Sequence, residues 1–203
     1  MTIKISPAKL EKQAEPAGEI ALLFPAQGYR SEEEYLALNT NHLVEYSDGR
    51  IEVLPMPTDK HQAIVAYLFM ILLALTQRIG GTVRFSPLRI RLWPGKFREP
   101  DLMLLLASHD HLRHNQYWEG ADLVMEVVSP DDPERDLVTK RQEYAQAGIP
   151  EYWIVDPQAE TITVLVLDNN AYAEHGRFGR SAVAASATLP ALQVEVDAVF
   201  DAA

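Results

Sequence analysis

The run Leu123-Val124-Met125-Glu126-Val127-Val128 constrains this chain more than any other stretch. Six consecutive residues of this kind read as a strand inside a sheet, yet one of them is a carboxylic acid. An ionised carboxylate costs several kcal/mol to desolvate, so acids are scarce in buried strands unless they have a partner. A second acid, Asp101, heads another apolar run, Leu102 to Leu106. Two acids on neighbouring strands repel unless they share a proton or a cation. With no motif for proton sharing, a divalent ion held by carboxylates, a carbonyl and waters is the simpler answer. The competing reading has Asp101 capping a turn and Glu126 pairing with a core cation such as Lys140.

The surrounding pattern supplies a frame for that pair. Ser31 with Glu34 forms a capping box that opens a short helix to about Asn39. Leu43 to Leu54 reads as a hairpin around Asp48-Gly49. Apolar residues at 64, 68, 71, 72 and 75 follow the helical period, so 59–79 is a long helix capped by Thr58 and stopped by Gly80-Gly81. Thr82 to Trp93 is strand-like, with Pro87 suggesting a bulge. Asp101 to Leu106 and Ala121 to Ser129 follow as strands, then a helix over 132–147 carrying Asp136, Lys140 and Tyr144, then strands over 151–155 and 161–167. The fold class is α/β: a mixed sheet flanked by helices, with a helix–three strands–helix–strand core and an N-terminal hairpin. The tail contains strand-like pieces such as Gln193 to Val196 that the pattern does not place. Residues 1–30 read as an extension and 31–203 as one domain.

Composition narrows the chemistry. There are no cysteines, which rules out disulfides and thiolate zinc sites and fits a reducing compartment. No signal peptide is evident, and Ala63 to Leu75 falls short of the ~20 apolar residues of a membrane span, so a cytoplasmic protein is expected. A net charge of −11 argues against a non-specific nucleic-acid binder. Six basic residues nevertheless lie between Arg78 and Pro100, against the single acid Glu99. Of these, Arg89, Arg91, Lys96 and Arg98 are candidates for lining the approach to Asp101 and binding a phosphate backbone; a solvated strand pair is the plain alternative. His109, His111 and His114 match no common zinc spacing and read as a solvated loop. No glycine-rich phosphate loop is present.

Pro100-Asp101 followed by Glu126-Val127-Val128-Ser129-Pro130, then Asp136-x-x-x-Lys140-x-x-x-Tyr144 and Ala147-Gly148-Ile149-Pro150-Glu151-Tyr152-Trp153-Ile154-Val155-Asp156-Pro157, resembles the PD-(D/E)XK nuclease superfamily. More narrowly, it resembles the Uma-type restriction endonuclease family, over about Ser31 to Leu167. The resemblance implies a restriction-endonuclease-like fold and hydrolysis of DNA phosphodiesters with Mg²⁺ or Mn²⁺. Asp101, Glu126 and the main chain of Val127 would hold the metal. The superfamily's lysine slot, two residues after the acid, holds Val128, so the lysine would come from the following helix as Lys140. Helix and strand rise place Lys140 nearly level with Glu126, and the rival is an exposed i,i+4 pair with Asp136. Glu45 and His61 also fit the family pattern and are secondary candidates. Glu45 is read as a metal-shell or exposed hairpin acid, His61 as a phosphate contact, a cap or a core histidine, and Tyr144 as packing. A homodimer is expected if both DNA strands are cut. The alternative function is a catalytically inactive nucleic-acid-binding or interaction protein on the same fold; an unrelated metal-dependent hydrolase is a third reading.

Overall fold

The computed structural model describes residues 28–40 and 42–202, so the expected N-terminal extension lies almost wholly outside the described residues. Helix α1, Glu32–Leu36, opens on the expected capping box: the Glu34 N–H donates to the Ser31 hydroxyl, and the Ser31 N–H donates to Glu34 Oε2 at 2.8 Å. It is shorter than the expected span to Asn39. Strands β1 (Val44–Ser47) and β2 (Arg50–Val53) form the hairpin. Its turn residues Asp48 and Gly49 both have positive φ, 47° and 86°, as a two-residue turn matched to strand twist requires. Helix α2 runs Asp59–Ile79, its first turn capped by the Thr58 hydroxyl accepting the His61 N–H.

The stretch expected as one bulged strand is two strands in two sheets. β3 (Thr82–Phe85) pairs with β6 (Leu102–Leu105), whereas β4 (Arg89–Trp93) pairs with β5 (Lys96–Arg98) and β7 (Tyr117–Trp118). Pro87 lies between them and has no N–H to carry a ladder onward, so the chain leaves one sheet there and enters the other. The smaller sheet has the order β2-β1-β5-β4-β7. The larger one, completed by β8 (Leu123–Val127), β9 (Glu151–Asp156), β10 (Thr161–Asp168) and β11 (Ala171–Phe178), has the order β11-β10-β9-β8-β6-β3. Only β8 and β9 are parallel within it, and a helix joins them: a wide π-type turn, Arg135–Thr139, running into α3, Lys140–Gln146.

Period-two alternation divides β8 as expected. Leu123, Met125 and Val127 pack with Ile64, Leu68, Leu72 and Leu75 of α2. Val124 and Val128 pack with Tyr144 and Ala145 of α3, so Glu126 also faces α3. The tail that the sequence pattern does not place completes the α2 side. A hairpin of β12 (Val183–Ala185) and β13 (Gln193–Glu195) and the short α4 (Val196–Phe200) bring Leu192, Val194, Val196, Val199 and Phe200 into that core. It is tied down by buried Glu151, whose Oε2 accepts from Ser186 and twice from Thr188. A third, aromatic cluster of Tyr35, Tyr46 and Phe97 fills the smaller sheet.

Candidate active site

The register of two strands brings the acids together. β6 and β8 are antiparallel with Leu102 opposite Met125, so the residue before Leu102 stands level with the residue after Met125. Those are Asp101 and Glu126. Each carboxylate takes a backbone N–H from the other's strand: Val127 donates to Asp101 Oδ2 at 2.8 Å, and Asp101 donates to Glu126 Oε2 at 3.3 Å. His61, in the first turn of α2, places Nε2 3.1 Å from Asp101 Oδ2. Burial opposes the imidazolium there, but the hydrogen bond and charge of Asp101 outweigh it and raise the His61 pKa.

From the other side comes α3. Lys140 Nζ is 2.9 Å from Glu126 Oε1 and 2.9 Å from Asp136 Oδ1, and the Tyr144 hydroxyl donates to Glu126 Oε1 at 2.6 Å. All four side chains are buried. The expected choice between a lysine beside Glu126 and an exposed i,i+4 pair with Asp136 therefore dissolves in its geometry, because Lys140 makes both contacts and is buried. The π-type turn contributes to this arrangement: the Lys140 N–H reaches back five residues to the Arg135 carbonyl, and the Tyr152 hydroxyl holds the Asp136 carbonyl at 2.9 Å. Wide turns of this kind concentrate at functional sites. Sequence alone assigns Tyr144 to packing. It packs against Tyr152 and also fixes the acid.

His61, Asp101, Glu126, Val127, Asp136 and Lys140 all line one cavity of ≈ 410 Å³. Six carboxylates line that cavity, Glu99, Asp101, Glu126, Asp131, Asp132 and Asp136, against Lys60, Arg135, Lys140 and His61, an excess of negative charge. Burial, opposed by Lys140 and reinforced by Asp101 and Asp136, pushes the Glu126 carboxyl up to about 8. Burial works against the Lys140 ammonium, yet Glu126 and Asp136 hold its pKa above the ordinary lysine value. Hard oxygen donors with surplus negative charge suit Mg²⁺ or Mn²⁺. No three His, Asp or Glu side chains among the described residues converge as a ready metal cluster. Asp101 and Glu126 would thus hold an ion as a pair, with main chain and water completing its shell.

The other residues singled out by the sequence stand elsewhere. Glu45 is neither exposed nor beside the Asp101–Glu126 pair: it is fully buried, its Oε2 held by Arg98 and Arg135 and its Oε1 by the Glu99 N–H. Burial would raise its pKa, but Lys140, Arg98 and Arg135 bring it down to about 2. The basic segment is not an open face. Arg98 is 2% exposed and bonds Glu45, Glu52 and Glu143; Lys96 pairs with Glu143 at 2.7 Å, Arg91 with Glu32 at 2.9 Å and Arg89 with Glu99 at 3.5 Å. Strand β5 is covered on both sides, which turns its cations inward to internal acids. The loop histidines likewise stay apart in role, His109 bonding Asp122 at 2.7 Å and His114 lying 3.3 Å from Glu119.

Residues 32–197 match the Uma2 family, described as "Putative restriction endonuclease". The chain belongs to the Uma2 family. Among solved structures, it is similar to the crystal structure of "a putative nuclease belonging to DUF820" from Anabaena variabilis, with a TM-score of 0.69 and 22% identity over 84% of this chain and 97% of that one. At that identity the likeness shows the fold, and the Uma2 chain has the restriction-endonuclease-like arrangement of a mixed sheet between helices. No curated protein matches the chain. The helix–three strands–helix–strand core is α2, β3, β6, β8, α3 and β9, with β4, β5 and β7 inserted as a detour into the smaller sheet.

Proposed function

We propose that this Uma2 protein is a divalent-metal-dependent endonuclease that hydrolyses DNA phosphodiesters. The observation that carries the reading is the pairing of Asp101 with Glu126 across β6 and β8, on one cavity wall, with the Lys140 ammonium 2.9 Å from Glu126. Asp101, Glu126 and the main chain of Val127 are the residues that would hold Mg²⁺ or Mn²⁺. Such an ion, when bound, supplies Lewis-acid polarisation at phosphorus and lowers the pKa of water. Lys140 places a fixed positive charge where negative charge develops on the phosphoryl oxygens, and it costs no reorganisation because Asp136 already holds it. Tyr144 and His61 keep the two carboxylates aimed, one from α3 and one from α2.

The test is incubation of supercoiled plasmid and linear DNA with the full chain in Mg²⁺, in Mn²⁺ and in EDTA. Nicking with either metal, abolished by EDTA and by Asp101→Asn, is expected. DNA binding without cleavage in any metal, unaffected by Asp101→Ala, would replace this reading with that of an inactive nucleic-acid-binding protein.

A further inference from the structure

Helix α2 has a second face that the fold leaves bare. From Gln62 to Gln77 the sequence contains no charged residue. By length and composition alone, α2 is apolar enough to cross a membrane. Yet its fully buried apolar row is Ile64, Leu68, Leu72 and Leu75, with Val65, Tyr67, Phe69 and Ile71 packed against the core in part. Gln62, Ala66, Met70, Leu73, Ala74 and Gln77 face outward, with Met70 60% and Leu73 39% exposed. A solvated helix face in a chain of net charge −11 would ordinarily carry charges. Here they occur only near the ends, at Asp59, Lys60 and Arg78; Lys60 is engaged by the Phe200 and Ala202 carbonyls, whereas Asp59 and Arg78 are exposed and without an ion-pair partner among the described residues.

The stripe also reads alike in both directions. Ala66 and Ala74 stand four residues either side of Met70, Gln62 and Gln77 eight and seven residues away, and the unengaged charges at the two ends, Asp59 and Arg78, are of opposite sign. An interface between identical copies must be complementary to itself after a half-turn. We propose that this face joins two copies of the chain as an antiparallel α2–α2 pair about a two-fold axis at Met70. Each Met70 packs on its counterpart, and Ala66 lies against the partner's Ala74, where small side chains let the helices approach. The glutamine amides meet near the ends, and Asp59 comes close to the partner's Arg78. The opposed helix dipoles add to the fit. Two chains of net charge −11 repel through their acids, and an uncharged face lets them meet without bringing those acids together. A lipid surface suits the face less well, because helices that lie on membranes carry basic residues along the polar side. The two cavities, each beside a His61 nine residues from the axis, would lie on the order of 27 Å apart along the pair.

The 203-residue chain contains no cysteine, which permits a direct test. Sedimentation across a concentration series should show a dimer. Met70→Glu, at an exposed position that leaves the circular dichroism spectrum unchanged, should raise the dimer Kd by roughly a hundredfold or more. Under oxidation Met70→Cys should cross-link to itself. Ala66→Cys and Ala74→Cys should cross-link when mixed, and neither should do so alone. A monomer at every concentration, a dimer indifferent to Met70→Glu, or a monomer that binds phosphatidylcholine vesicles through α2 would each overturn the proposal. None of these outcomes bears on metal-dependent cleavage, so the two readings fail separately.

Discussion

Lys140→Met keeps the volume of the side chain and removes its charge. The sequence alone suggests a large loss of rate with little loss of stability. The structure changes the second half of that expectation. Lys140 is 5% exposed and is the only ammonium among the described residues within 4 Å of Glu126 and Asp136. Removing one partner of a buried charge pair costs about 3–5 kcal/mol, because the charge left behind is uncompensated. Glu126 lies at the edge of ionisation already, its carboxyl raised to about 8, so it escapes part of the penalty by taking a proton. That points to the lower end of the range. For a chain of this size it corresponds to roughly 6–12 °C in Tm at neutral pH. The sign with pH follows from the same group. Lys140 lowers the Glu126 pKa, so its loss raises that pKa further above the unfolded value of 4.5. A raised carboxyl destabilises the fold above pH 4.5, increasingly so until the folded pKa is passed. Glu126 keeps its proton in wild type and variant alike up to about pH 8, so the Tm deficit of the variant should stay level from about pH 4.5 to 8 and grow above pH 8, where the wild-type carboxyl ionises first, and Asp136→Asn in the same chain should recover part of it. Thermal unfolding followed by circular dichroism at several pH values, beside cleavage rates, is the assay. A variant with unchanged Tm and intact cleavage would refute both the burial argument and the migrated lysine.

Three other outcomes follow from the same geometry. Uptake of Mg²⁺ should displace the proton that burial keeps on Glu126, so affinity should increase with pH up to about 8; calorimetry in buffers of different ionisation enthalpy reads the released proton, and its absence at pH 7 would contradict the charge count. Glu45, held down to about 2 in the fold against 4.5 unfolded, contributes stability that is complete above pH 4.5 and lost as pH falls towards 2; this is on the order of 3 kcal/mol, and Glu45→Gln should flatten acid unfolding over that window. Arg98→Ala should lower stability by several kcal/mol, leaving Glu45 and Glu143 short of a partner, and should leave the salt dependence of any DNA binding unchanged, since Arg98 faces acids rather than solvent.

Much of the site is legible in the sequence because strand physics is local. Alternation alone puts Glu126 on the face of Val124 and Val128, and an acid heading the next strand needs only antiparallel pairing to meet it. The four-residue spacing of Asp136, Lys140 and Tyr144 announces a single helical row. Burial is what the sequence hides. Lys96 and Arg98 look in sequence like a basic approach to Asp101, and nothing local reveals that Glu45, Glu52 and Glu143 converge on them from distant elements. For the same reason Asp136 reads as an exposed helical partner when it is a buried one. Pro87 marks an interruption, but a change of sheet and a bulge leave the same mark in the sequence. The tail has no strong period because its short pieces are stabilised by packing on α2 and by hydrogen bonds to Glu151, which lies more than thirty residues upstream.

The central claim is that Asp101 and Glu126 hold a catalytic divalent ion. Anomalous diffraction from crystals grown with Mn²⁺ tests it most directly. The expected result is one peak between the two carboxylates, with oxygen distances of about 2.1–2.2 Å, and its loss in Glu126→Gln. Crystals saturated with Mn²⁺ that show no peak there, or show it only elsewhere, would contradict the assignment.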